Sequence, residues 1–186
     1  MGQLKSTEIA SALTEAMAAG RFVRLTTRYD ERVSGYVAAI GPGFVMIAVV
    51  NHRIWFDGFE CFRRPDILAV GDDPYAAFHE TALSRRGDTR PQTPPVSLEN
   101  IEALLTTAGK LFPLVTIHTE VEDADVLFIG RVLEVTAGEL VMLEVDPGAE
   151  WDAEPERCPT ADITRVAFGS DYEDALWLVA GDPPSA

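Results

Sequence analysis

The 186-residue chain carries 30 Asp and Glu against 15 Lys and Arg, a net charge of −15, and is 47% apolar and 24% charged. That balance excludes a disordered polymer and suits one ordinary domain or two small ones. No run of 18 apolar residues occurs, so no membrane-spanning helix is expected, and the opening MGQLKSTEIASALTEAMAAG lacks the basic start and apolar segment of a secretory signal. The expectation is a cytoplasmic protein beginning at its own methionine.

The charge is unevenly divided. Up to Thr93 there are 11 basic and 11 acidic side chains; from Pro94 onward there are 4 and 19, so the second part holds all of the excess. Such a surface repels phosphate backbones over a Debye length of about 10 Å, which argues against nucleic-acid binding there. The first part, with ten arginines and one lysine, stays open to an anionic partner. Alternatively the two halves, or two copies of the chain, face one another by charge complementarity.

In chain order, Ser6–Ala19 has Ile9, Leu13 and Met17 at four-residue spacing, a cap at Ser6 or Thr7 and an end at Gly20, which predicts an amphipathic helix. Residues 21–28 alternate, with Val23, Leu25 and Thr27 on one face and Phe22, Arg24, Thr26 and Arg28 on the other. Tyr29-Asp30-Glu31 is the expected turn. A second strand, Arg32–Ile40, carries Gly35 where a strongly bent strand has no room for a side chain. Gly41-Pro42-Gly43 then turns the chain into a third strand, Phe44–Val50. Ile54-Trp55-Phe56 resumes after a turn at residues 51–53, and Asp57-Gly58 reads as a hairpin turn before a strand over 59–62. Asp66–Val70 is the last strand of this part, followed by a helical segment at 75–83.

The order recurs. Ser97–Ala108 is a second helix ending at Gly109, Gly130 takes the place of Gly35, and Leu140–Val145 repeats the third strand. Asp162–Val166 matches Asp66–Val70 at an offset of 96, and Tyr172–Leu178 closes the second half as Tyr75–Leu83 closes the first. The match at 96 includes Val45/Val141, Met46/Met142 and Val49/Val145. Residues 84–96, SRRGDTRPQTPPV, are polar and proline-rich and suit an exposed linker. The expected organisation is therefore a first domain at 1–84, a linker at 85–96 and a strongly acidic second domain at 97–186. The fold class expected is mainly β with flanking helices: two tandem five-stranded barrels, each preceded by an N-terminal helix, since closure removes exposed strand edges.

The pattern of helix, VRLTTRYDERVSGYV, GFVMIAVV and DGFECFRRPDI resembles the Sm-like fold, the SH3-like barrel shared by Sm proteins and the RNA chaperone Hfq. The resemblance covers most of residues 6–83 and, more faintly, 97–180. It implies edge-to-edge oligomerisation, so a homo-oligomer or protein partner is expected. It does not carry over the family's RNA site. Where that site needs an Asp…Asn pair the chain has Gly41-Pro42-Gly43, and where it needs Arg-Gly it has Arg63-Arg64-Pro65-Asp66; the second half offers Thr136-Ala137-Gly138 and Cys158-Pro159-Thr160.

The remaining candidates for an anion or partner site are Arg24 and Arg28, expected beside Tyr36 and Ser34, with Arg53 near Trp55, and Arg63 and Arg64. A guanidinium against an aromatic ring can stack a base and pair a phosphate; the plainer alternative is a solvated face or ion pairs with acidic side chains. No enzyme is expected. His52, His79 and His118 lack metal-ligand spacing, no nucleotide-binding glycine loop or nucleophile elbow is present, and no cofactor or metal is implied. Asp66 and Asp162 are expected to cap backbone amides, and Cys61 and Cys158 to be small core residues. The acidic run Glu120, Glu122, Asp123, Asp125, with Glu150, Asp152, Glu154 and Glu156, lacks the ligand spacing of a calcium loop and reads as a solvated acidic surface.

Overall fold

The computed structural model describes residues 6–29, 32–121 and 126–184. Asp30 and Glu31 of the expected first turn, and Glu122, Asp123 and Asp125 of the acidic run, lie outside the described residues. The chain is mainly β with flanking helices and divides into two compact units, Met1–Pro94 and Pro95–Ala186. No helix among the described residues is long and apolar enough to cross a membrane.

The first unit runs α1 (Ser6–Ala19), β1 (Phe22–Thr27), β2 (Arg32–Ile40), β3 (Phe44–Val50), β4 (Phe56–Arg63), a 3-10 turn (Arg64–Asp66), β5 (Ile67–Asp72) and α2 (Ala76–Arg86). Its strands pair antiparallel in the order β5-β1-β2-β3-β4. The second unit runs α3 (Ile101–Leu111), β6 (Val115–His118), β7 (Leu127–Thr136), β8 (Glu139–Glu144), β9 (Glu156–Pro159), β10 (Arg165–Phe168) and α4 (Asp171–Ala180). Here the order is β10-β6-β7-β8-β9, the same sequence of pairings. Among the described residues β5 does not pair with β4, nor β10 with β9, so neither ladder closes on itself within its unit.

Each first helix buries one stripe. In α1 the buried residues are Ile9, Leu13 and Ala16, and in α3 they include Ile101, Leu105 and Ala108, the same residue types at an offset of 92 (Ile9 to Ile101). Positions i, i+4 and i+7 share a helix face. Met17, expected on that stripe, is instead exposed, because Ala16 is the residue that completes the spacing. Helix α1 lies on β2 and β5, over Val23, Leu25, Val37, Val45, Ile47, Phe62 and Ile67. Fully burying a side chain such as Leu13 contributes about 2 kcal/mol.

The bent hairpins repeat more closely than the letters do. Gly35 pairs with Val49 and Gly130 with Glu144; Val37 pairs with Ile47 and Val132 with Met142; a register shift follows Val37 and another follows Val132. These equivalences are offset by 95 (Gly35 to Gly130), not by the 96 that aligns Val45 with Val141. A slip of one residue sends every side chain to the opposite face, so the identities at 96 in this hairpin are coincidental. Further along, Ile47 pairs with Glu60 and Met142 with Glu156, and Leu25 with Val70 and Ile117 with Val166, so the offset there is 96 (Glu60 to Glu156, Val70 to Val166). Cys61 pairs with Met46, whereas Cys158 pairs with Leu140, the equivalent of Val45. The two cysteines are therefore out of phase: Cys61 is buried, with its thiol pKa pushed up by that burial, and Cys158 is half-buried.

Four expected boundaries move. Asp57-Gly58 is not a hairpin turn but lies within β4, where the pairing slips between Ala48 and Val50 and Gly58 takes φ +68°. The turn expected at 51–53 is present and runs on through Trp55, because Asn51 organises it: its Oδ1 accepts from the amides of Arg53 and Trp55, and its Nδ2 donates to Asp57. Gly109 does not end α3. It sits inside the helix where a Cβ would lie 2.7 Å from Val132, so its missing side chain lets α3 approach β7. The cap of α3 is Asn100, whose Oδ1 accepts from the Ala103 amide, so the helix begins at Ile101 and not at Ser97 as expected. Finally, α2 runs on to Arg86, into the segment expected to be linker.

Candidate functional site

The arginine face of the first unit is engaged by the unit's own carboxylates. Arg24 stands opposite Ser34, as the alternation predicts, but both reach Asp73: Arg24 Nη2 lies 2.8 Å from Asp73 Oδ2 and Ser34 Oγ donates to the same oxygen at 2.6 Å. Asp73 Oδ1 also accepts from the Tyr75 amide ahead of α2. Burial by itself would raise the Asp73 carboxyl, but Ser34, the Tyr75 amide and Arg24 together hold it below the usual range. Arg28 pairs with Asp66 at 3.0 Å and donates to the Pro65 carbonyl. The Asp66 carboxylate is thus an ion-pair partner rather than the expected amide cap, and burial, outweighing Arg28 and Arg63, raises its pKa.

Tyr36 is buried, edge-on to Phe22 at 5.2 Å, and its cation is Arg90, whose guanidinium lies 3.6 Å from the ring centroid. Arg90 also donates to the Gly20 carbonyl, and Thr93 Oγ1 reaches the Ala38 carbonyl, so these residues of the expected linker are strapped along the first unit. The Trp55 ring is covered by Arg86, 4.4 Å from its centroid, rather than by Arg53. Arg86 further donates to the carbonyls of Arg53 and Ile54, holding Ile54 at φ +62°, a strained backbone for a β-branched residue. Arg63 lies 5.5 Å above the Phe44 ring, and Arg64 donates to the Gly41 carbonyl. The six sequence candidates, Arg24, Arg28, Tyr36, Arg53, Arg63 and Arg64, therefore do not converge on one cradle. Arg86 and Arg90 were missed because a guanidinium 31 or more residues away in sequence leaves no local signal.

The second unit holds polar groups in its interior instead. Arg165 lies between His118 and Glu120: Nη2 is 3.0 Å from His118 Nδ1 and Nε 3.1 Å from Glu120 Oε1, with all three side chains buried. Thr164 Oγ1 donates to the His118 carbonyl, and Thr116 Oγ1 bonds Glu173, the fourth residue of the α4 capping box. Burial and then the adjacent Arg165 bring the His118 imidazole down to about 3. An unfolded histidine titrates near pH 6.5, so on acidification the unfolded chain takes up this proton first. Stability is expected to fall as pH drops from about 6.5 toward 3, by at most about 1.4 kcal/mol per unit from this group. Glu173, whose pKa is raised by burial, acts in the opposite sense. Urea unfolding of the wild type and His118→Gln across that range isolates the effect: the difference must shrink as pH falls, and a constant difference would refute the assignment.

Next to this interior, a shallow groove of about 230 Å³ is lined by Leu127, Ile129, Val145, Tyr172 and Leu176 with Glu144 and Asp152. No group of three or more His, Cys, Asp or Glu among the described residues is arranged to hold a metal ion. A scan against protein-family models finds no match, and comparisons with curated proteins and with solved structures find none either.

Proposed function

We propose that this chain is a tandem Sm-like protein, arisen by duplication, that works without enzymatic chemistry as a cytoplasmic protein-interaction or scaffold module and oligomerises through strand edges. The repeat of helix, five-strand order, bent-hairpin glycine and closing helix supports the family reading. The observation that carries the oligomer is β5, which among the described residues pairs on one side only, with β1, and leaves Leu68, Ala69 and Val70 part-exposed along the other. Natural edges are blunted by charge, proline or shortness. Strand β9 has Glu156, Arg157 and Pro159 over four residues, but β5 has only Asp72 at its end.

Light scattering of the full chain over a wide concentration range tests this. The wild type is expected to self-associate and Leu68→Lys to shift it to monomer, while a wild type that stays monomeric at high concentration rules the assembly out. RNA or nucleotide binding through the arginine face is the competing function; with Arg24 and Arg28 already paired, no salt-sensitive retention of single-stranded RNA is expected in the same preparation.

A further inference from the structure

The groove of the second unit combines an apolar floor with carboxylates that have no cationic partner among the described residues. Three of the four basic side chains of residues 95–186 are committed elsewhere: Arg131 to Asp182, Arg157 to Glu139 and Arg165 to Glu120. Asp146, at the groove's end, is occupied by the amides of Gly148 and Glu150. Glu144 and Asp152 have no hydrogen-bond or ion-pair partner among the described side chains, and together with Glu156 they crowd like charge at one place. Burial first, then Asp152 and Glu156, raise the Glu144 carboxyl, so this negative charge is held at a cost that a cation would relieve. Across the groove Leu127 and Tyr172 are exposed, and Val145 and Leu176 belong to the buried cluster beneath.

Size and charge together narrow the occupant. Pockets for whole metabolites run about 300–1,000 Å³, so a space of about 230 Å³ suits one large side chain. Among the described residues no group of three or more His, Cys, Asp or Glu is arranged here to hold a metal ion. A cationic head on an apolar stem matches both walls, as lysine and arginine stems cover apolar surface while their heads reach charge. We propose that this groove seats a lysine or arginine side chain, flanked by apolar residues, from a peptide segment of a protein partner. The site is separate from the β5 edge, so it stands or falls independently of the oligomer.

The test titrates isotopically labelled full-length protein with the peptide acetyl-Leu-Lys-Leu-Arg-Leu-amide, following amide shifts. Half-saturation at or below about 1 mM is expected, equivalent to about 4 kcal/mol, with shifts confined to residues 127–129, 144–147, 152, 172 and 176. Glu144→Gln and Asp152→Asn should each weaken binding about tenfold, since each removes a charge-assisted hydrogen bond. Tyr172→Ala should weaken it through lost apolar contact, and the exposed Glu99→Gln should leave it unchanged. No shift at several millimolar, shifts spread over the whole acidic surface, or shifts insensitive to the groove variants would each overturn the proposal. Equal binding of spermidine at the same residues would overturn the peptide assignment, because it would make the groove a site for small amines.

Discussion

Alanine at Gly35 or at Gly130 is expected to destabilise the protein by about 3 kcal/mol or more, the upper end of what overpacking costs. A Cβ on Gly35 would lie 2.2 Å from the Ala48 carbonyl oxygen, and one on Gly130 would lie 2.3 Å from the Leu143 carbonyl oxygen. Both obstacles are backbone atoms of the neighbouring strand, inside an antiparallel ladder, so neither can swing aside as a side-chain tip would. Relief requires β2 to part from β3, or β7 from β8, at the centre of the unit's own core. For a chain of this length a loss of about 3 kcal/mol lowers Tm by about 6–12 °C. Gly71→Ala is the control: nothing lies within 4 Å of a Cβ there, and its effect should stay within about 0.5 kcal/mol. Thermal unfolding followed by circular dichroism decides it. If Gly35→Ala and Gly71→Ala melt together, the bent-strand account of both hairpins is wrong.

Arg165→Met is expected to cost about 3–5 kcal/mol, because it strands the Glu120 carboxylate in the interior without its guanidinium. The Glu120 side chain is 5% exposed and that of Arg165 10%, so water cannot take over the pairing. His118 Nδ1 loses its partner in the same step. Adding Glu120→Gln should restore much of the loss by removing the charge that Arg165 had paired, a coupling that urea denaturation of the two single variants and the double variant would read directly. Additive losses in the double variant would show that Arg165 acts through packing alone. The first unit supplies the contrast. Its Arg28–Asp66 pair leaves the Arg28 side chain 51% exposed, so Arg28→Met should cost no more than about 1 kcal/mol.

These two effects differ in how visible they are in the chain. The glycines are legible: each stands mid-strand between apolar alternations, where a residue without a side chain has no other reason to sit. The buried triad is not. His118 and Arg165 look like surface polar residues on short strands and Glu120 like one member of an acidic run, and only the pairing of β6 with β10 brings Arg165 opposite His118. The arginine face was half legible. Alternation put Arg24 beside Ser34, but the acid that neutralises both, Asp73, lies 49 residues from Arg24, beyond any local pattern. The groove carboxylates Glu144 and Asp152 were visible only as members of a long acidic composition, with nothing to separate them from their solvated neighbours.

Local periodicity therefore determined what depends on neighbours a few residues away: the extents of α1, β2 and β3, the apolar faces of both first helices, the bend at Gly35 and Gly130, and the unequal charge of the two halves. Tertiary structure decided what depends on strand register. It moved the repeat in the bent hairpin from an offset of 96 to 95, put Cys61 and Cys158 out of phase, and turned Asp57-Gly58 from a hairpin into part of a strand. It also chose each arginine's partner. Identical letters score the same on either face of a strand, whereas packing does not, because a slip of one residue exchanges the core face for the solvent face.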